Sequence, residues 1–407
     1  MFKSLSLKVI IFGFIFTFFS SFGQSFFLGL FNSSIREALS ITHGQFGSIY
    51  ASATLLSSIV LGWIGKKIDD VNILKFATYV IIFLSISCFI FSKISSVIFL
   101  FIGIFLMRLS GQGLSSHTAT TTISRFFEKS RGRALSTGWL GLSLAEFVLP
   151  VLIVFLLTFI GWRDIWIFIS ILVIVVLPIT SYFLVKEIKL DTREEIKKEV
   201  ITKEIKQWKR VEVLNDYRFY IVCMTMLAAP WIATGTFVYQ SFITSSKDWG
   251  PYVIAQSFMV YSITTVVTLF ISGFLIDKFS SRKLLIYMNV PLFFATAVLF
   301  FFDNEVSSFI FFGFLGVTNG LANVLGSSTW AEIYGVKHIG SIKALTTALM
   351  VFATAFGTAL FGILIDFNFS IEQIAVISGA YILTSIILLY LVRSKLNPQY
   401  IKNSLIL

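Results

Sequence analysis

The sequence predicts an all-α membrane protein: twelve transmembrane helices in two six-helix bundles, with both termini cytoplasmic. Three observations carry that prediction: composition, the length of the apolar runs, and the placement of Lys and Arg. Of 407 residues, 56% are hydrophobic and 13% charged, where a soluble domain carries about a quarter charged residues. Mean hydropathy is +0.88, and Phe alone accounts for 46 residues. Such a chain cannot coat soluble domains with charge. A cytosolic enzyme, a secreted disulfide scaffold and a disordered chain are thereby excluded.

A membrane-spanning helix needs about 20 mainly apolar residues. Twelve such runs occur, over 9–31, 45–65, 73–92, 96–123, 135–158, 162–185, 217–244, 251–276, 283–302, 306–331, 342–365 and 373–392. A transmembrane β-barrel would show alternating segments of about ten residues, and no segment alternates. The first run follows Lys3 and Lys8 as a signal peptide would. It stays apolar through Phe31 with no A-x-A-like site, so it reads as a retained anchor.

Lys and Arg set the orientation. With the N-terminus inside, the cytoplasmic segments hold 27 of the 32 and the outer loops four: Arg36, Lys93, Arg163 and Lys247. The net charge of +11 is therefore read as membrane orientation, and no nucleic-acid partner is expected. The division is residues 1–185 for the first bundle, 186–216 for a charged cytoplasmic linker, 217–395 for the second bundle and 396–407 for a cytoplasmic tail. The linker alternates Lys and Glu, as an exposed helix with i,i+4 pairs would.

The halves repeat. Gly62 to Lys67 closes the second run as Gly273 to Lys278 closes the eighth, and Gln112-Gly113 corresponds to Asn319-Gly320. Two halves of equal span number are a transporter signature. The stretch from Gly273 through Asp277 to Arg282 and Lys283 resembles the G-x-L-a-D-r-x-G-r-[RK] loop of the major facilitator superfamily. Arg108-Leu109-Ser110-Gly111-Gln112-Gly113 resembles its fourth-span R-x-x-x-x-G signature. Arg125-Phe126-Phe127, Arg131-Gly132-Arg133-Ala134 and Gly138 to Pro150 are similar to a block of bacterial monocarboxylate-porter and oxalate/formate-antiporter members. The first-half loop departs, with Lys66 where the family places Asp. The resemblance implies the major facilitator fold, with the first, fourth, seventh and tenth helices lining a path. It also implies a conformational gate in which Asp277, Arg282 and Lys283 take part. For the basic residues of that loop, simple orientation is an equal reading.

Ionisable groups in the hydrocarbon layer are costly and face cavities as a rule. Arg108 and Glu146 are the clear cases, and His117, among hydroxyl neighbours, reads as a packed histidine. By helix rise Arg108 and Glu146 lie roughly 22 Å and 16 Å from the cytoplasmic edge, which permits a buried ion pair. Either that pair is structural, or Arg108 is an anion site and Glu146 a proton-coupling carboxylate. Polar residues cluster in the four path helices, giving Gln24, Gln112, Tyr239, Gln240, Asn319 and Asn323 as substrate-binding candidates beside Arg108. Such residues also serve simply as bonds between helices.

No phosphate-binding GxxxxGK[ST] loop occurs, nor any catalytic triad or paired-carboxylate arrangement, so no enzyme activity and no cofactor is expected. Cys88 and Cys223 both lie in apolar runs, and the three His show no metal-ligand spacing. The expected function is secondary active transport of a small organic solute, a carboxylate if Arg108 binds it, by alternating access; proton symport, exchange and facilitated efflux all stay open. The alternatives are a transporter-like solute sensor, or an exporter of neutral or zwitterionic solutes. A monomer in the cell membrane of a bacterium, its inner membrane, in contact with lipid, completes the expectation.

Overall fold

A computed structural model describes residues 2–127, 131–186 and 206–398. Most of the charged linker, part of the loop after the fourth span and the last nine residues lie outside that range. The side chains of Phe2, Lys3, Ser4, Asp69, Arg131, Asp277 and Ser327 are also outside it. Among the described residues, twelve helices are long and apolar enough to cross a membrane: α1 (Leu5–Gly29), α2 (His43–Ile68), α3 (Ile73–Ser92), α4 (Val97–Phe126), α5 (Gly132–Leu157), α6 (Trp162–Val185), α7 (Tyr217–Val238), α8 (Val253–Ile276), α9 (Ser281–Phe301), α10 (Glu305–Tyr334), α11 (Ile339–Asp366) and α12 (Ile371–Leu396).

Local chemistry sets their ends. Free N–H groups at a helix start need an acceptor, and Ser, Thr, Asn and Asp supply one. Thr42 opens α2 and Ser370 opens α12 through reciprocal capping boxes with Gln45 and Gln373. Asn72, Ser96, Asp216 and Asn304 cap α3, α4, α7 and α10. Gly335, at φ 84°, ends α10. The seventh span stops earlier than its apolar run predicts. It ends at Val238, and a separate short helix, Gln240–Ser246, follows.

Within each half, small residues let backbones approach, the usual basis of helix packing in lipid. In the first half, the Thr17 hydroxyl donates to the Gly138 carbonyl at 2.6 Å, and Ser85 meets Ser170 across α3 and α6. In the second, Gly316 and Gly320 of α10 lie against the backbone of Tyr261 and Thr265 on α8. The most enclosed span is α7, with 72% of its most apolar stretch buried against 22–50% for the others. It is a central helix, not a lipid-facing one.

Twelve successive spans put the start of α1 and the end of α12 on one face of the bundle, called here the terminal face. On the opposite, far face, the fully buried Lys247 ammonium pairs with Asp303 at 2.5 Å and Glu372 at 2.7 Å, tying two loops of the second half to the first turn of α12. On the terminal face, residues 206–216 of the predicted linker dock on the second half. The Trp208 amide donates to the Tyr334 carbonyl at 3.1 Å, and Arg218 binds Asp216 and the Lys395 carbonyl.

Candidate functional site

α1 is not continuous. Its helix gives way at Ser21–Gly23 to a tighter turn, Gln24 is extended (φ −83°, ψ 153°), and Ser25–Gly29 resumes. The break lies against a widened π-helical stretch of α4, Arg108–Ser115, a feature common at functional sites. Two glycines make the approach feasible. A Cβ on Gly111 would come within 2.7 Å of the Gly23 amide nitrogen, and one on Gly23 would meet the backbone of Met107 and Gln112.

A broken helix exposes backbone carbonyls in a layer without water, and they must find partners. Arg108 supplies one. Its Nη1 donates to the Gly23 carbonyl at 3.1 Å and to the Ser25 hydroxyl at 3.2 Å. Tyr50 of α2 donates to the same Ser25 oxygen at 2.9 Å, with its ring 5.5 Å from the guanidinium carbon. Arg108 is 3% exposed, and its Nε has no partner.

Glu146 is buried too, but the ion pair with Arg108 that the depth argument permits is not made. Among the described residues Glu146 has no ion pair or hydrogen bond. Depth alone was a poor guide because helix rotation decides the matter. Arg108 turns toward α1, while Glu146 lies on the α5–α8 seam, within electrostatic reach of the Tyr261 phenol. On that seam the Ser262 hydroxyl donates to the Ser143 carbonyl at 2.6 Å.

Tyr239 and Gln240 stand elsewhere, in a seal across the far ends of the two halves. The Tyr239 hydroxyl lies 2.9 Å from the His43 carbonyl and 3.0 Å from that of Thr358. The Gln240 amide nitrogen donates to the Phe26 and Phe237 carbonyls, each at 2.9 Å. Asn32 donates to the Val238 carbonyl at 2.7 Å. Asp366, closing α11, accepts from the Thr42 hydroxyl at 2.6 Å and the Gly44 amide at 2.9 Å. Sequence reasoning missed Asn32, His43 and Asp366, which read as loop residues. The available signal was Gly44 and Gly47 at one end of α2 and Gly362 near the end of α11, small residues that let the two helices approach.

Below the seal, a cavity of about 190 Å³ lies in the second half. It runs from Phe237, beside the seal, to Cys223 and Trp330 nearer the terminal face. Asn319 and Asn323 both line it. Gln24 and Gln112 are half-buried at the break in α1.

Of the expected gate, Asp277 sits in the last turns of its helix with its side chain outside the described residues. Arg282 pairs with Glu332 of α10 at 3.1 Å and donates to Asn397 at 2.6 Å. Glu332 also accepts from the Ser281 hydroxyl and the Arg282 amide, so a carboxylate does hold the start of α9, as helix N-termini favour. Lys283 is exposed. His117 is a structural histidine, 3.0 Å from the Gly65 carbonyl through Nε2.

Comparison with known proteins agrees with this architecture. A search of curated proteins finds no match. The fold is similar to that of a bacterial homologue of the human lysosomal transporter Spinster in its inward-facing, unoccupied conformation. The TM-score is 0.72 at 12% identity, covering 96% of this chain and 98% of that one. The nucleoside transporter NupG is similar at a TM-score of 0.70 and 13% identity, covering 96% and 98%. The profile described as Major Facilitator Superfamily matches residues 13–256 and 220–404. Spans, halves and profile together make this chain a multi-pass membrane transporter belonging to the Major Facilitator Superfamily.

Proposed function

We propose that the protein is a secondary transporter that moves a small organic solute by alternating access, with protons as coupling ion and Glu146 as the group that carries them. Residues 1–185 and 217–395 act as the two rocking halves, and the terminal face is the cytoplasmic one. The observation that carries this reading is the asymmetry of the inter-half bonds. Tyr239, Gln240, Asn32 and Asp366 join the halves at the far face, and the cavity lies on the terminal side of that seal. This is the arrangement of an inward-facing carrier, in which rigid halves rock about a midplane site.

Glu146 supports the coupling. An intramembrane carboxyl is a functional group by default, and this one has no cation partner among the described residues. It lies on the seam where α5 of one half meets α8 of the other, so motion of the halves changes its access to water. Arg108 has a different first task, since Nη1 holds the break in α1. Specificity for a carboxylate would require the solute to share or displace that bond.

Proteoliposomes under an imposed pH gradient test the reading with a panel of labelled neutral, anionic and cationic solutes. At least one should accumulate, and collapse of the gradient should abolish accumulation. Glu146→Gln should exchange that solute across the membrane without accumulating it. A protein that binds solutes yet accumulates none would be a sensor, contrary to the proposal.

A further inference from the structure

We infer that the solute site in the second half is built for a small uncharged molecule with an amide-like hydrogen-bonding edge and an apolar, planar body. The inference rests on the transport reading for the pocket's role and replaces a carboxylate as the substrate class. Among the described residues, no side chain lining the cavity carries a formal charge. Its polar groups are amides and hydroxyls, chiefly Asn319, Asn323 and Thr234, set among Phe237, Tyr261 and Trp330.

Asn319 and Asn323 are four residues apart, so they project from the same face of α10. They also lie near the middle of the span Glu305–Tyr334. Neither side chain has a hydrogen-bond partner among the described residues. Asn319 is half-buried and Asn323 is exposed to the cavity, and each amide offers one acceptor oxygen and two donor hydrogens to a molecule that enters. A ligand with an adjacent donor and acceptor satisfies both. Phe237 packs with Tyr261 at 5.3 Å and Phe258 at 5.1 Å between ring centroids, giving that ligand an aromatic floor. The volume lies below the roughly 300–1,000 Å³ of drug-sized sites, which suits a molecule of one small ring.

Charge argues the same way. A carboxylate entering here would lose its hydration with no cation to compensate. Arg108, the buried cation of α4, belongs to the other half and is engaged at Gly23 and Ser25. An ammonium would find no carboxylate among the lining residues.

Three probes of matched size separate the classes: benzamide, benzoate and benzylammonium, titrated at pH 7 against the purified full-length protein by thermal shift and calorimetry. Benzamide should bind saturably, with the two ions at least about tenfold weaker, since each would bury an uncompensated charge. Asn319→Ala and Asn323→Ala should each weaken benzamide about tenfold, the effect of one lost hydrogen bond to a buried partner. Their melting temperatures without ligand should not change, because the amides have no protein partner to lose. Benzoate or benzylammonium binding as tightly as benzamide would overturn the inference, as would no binding by any of the three. The probe comparison on the unmodified protein decides the matter even if the variants fail to fold. The two readings also fail separately. Preference for benzoate sinks the neutral site and leaves transport standing, whereas benzamide binding with no accumulation of any solute sinks transport and leaves the site.

Discussion

Arg108 of α4 donates from Nη1 to the Gly23 carbonyl of α1 at 3.1 Å, at the residue where α1 breaks. A cation well inside a span thus braces a discontinuous helix. Its second bond, to Ser25, and the Tyr50 bond to the same oxygen link α1, α2 and α4 at one point.

Loss of that brace should be felt in stability before it is felt in transport. Arg108→Ala leaves the Gly23 carbonyl buried without its partner, at a cost of about 1–3 kcal/mol. The melting temperature of the purified protein should fall, and Arg108→Lys should fall less because an ammonium can still serve one acceptor. An unchanged melting temperature in Arg108→Ala would show that the bond is not structural.

Tyr239→Phe should loosen the far seal. Of its two carbonyl neighbours only His43 belongs to the other half, Thr358 being on α11, so the substitution removes at most about 1 kcal/mol from the seal. That is a shift of up to about fivefold toward the far-open state, readable from spin-label distances across the far face.

Bulk at the seam should act more strongly. A Cβ on Gly362 would collide with the Tyr239 hydroxyl and come within 2.5 Å of the His43 carbonyl, and one on Gly47 would meet Tyr239 and Thr358. Gly362→Val and Gly47→Val should therefore fold but fail to close at the far face, trapping the opposite conformation. Solute uptake should be lost with little change in the yield of folded protein.

Outside the membrane, Glu212 should make docking of residues 206–214 pH-dependent. Its carboxyl accepts from the Lys209 amide at 2.7 Å and pairs with Lys206 at 3.1 Å, and these hold its pKa below the usual carboxylate value. A depressed folded pKa contributes stability above the unfolded pKa, about 4.3. That contribution is lost as pH falls through the lower folded value. The effect is small because the pair is exposed. Trp208, packed on Tyr334 at 5.4 Å, should report it as a fluorescence change below about pH 4, absent in Glu212→Gln.

Much of the fold was legible because hydrocarbon thickness imposes a length on apolar runs. The predicted 73–92 and 162–185 coincide with α3 and α6. What the runs could not show is where helices break and how they rotate. The interruption from Ser20 to Ser25 was visible as polar residues, yet the backbone break at Gln24 depends on the neighbouring π-helical turn of α4. Arg108 and Glu146 were singled out correctly as buried ionisable groups, and their pairing failed on rotational phase. Tyr239 and Gln240 were grouped with Asn319 and Asn323 by polarity alone. Only the three-dimensional register separates the pair in the seal from the pair in the cavity.

The central claim is that the far-face seal is one of two states, and electron–electron distance measurement tests it without knowledge of the solute. Spin labels would replace Glu37 and Ser246 on the far face, and Lys66 and Lys343 on the terminal face, all exposed, after the two buried cysteines are changed to Ala. The account predicts two distance populations for each pair. As the far pair lengthens the terminal pair should shorten, and the balance should move with pH in a way that Glu146→Gln abolishes. A single unchanging distance for both pairs across pH would contradict alternating access by this protein.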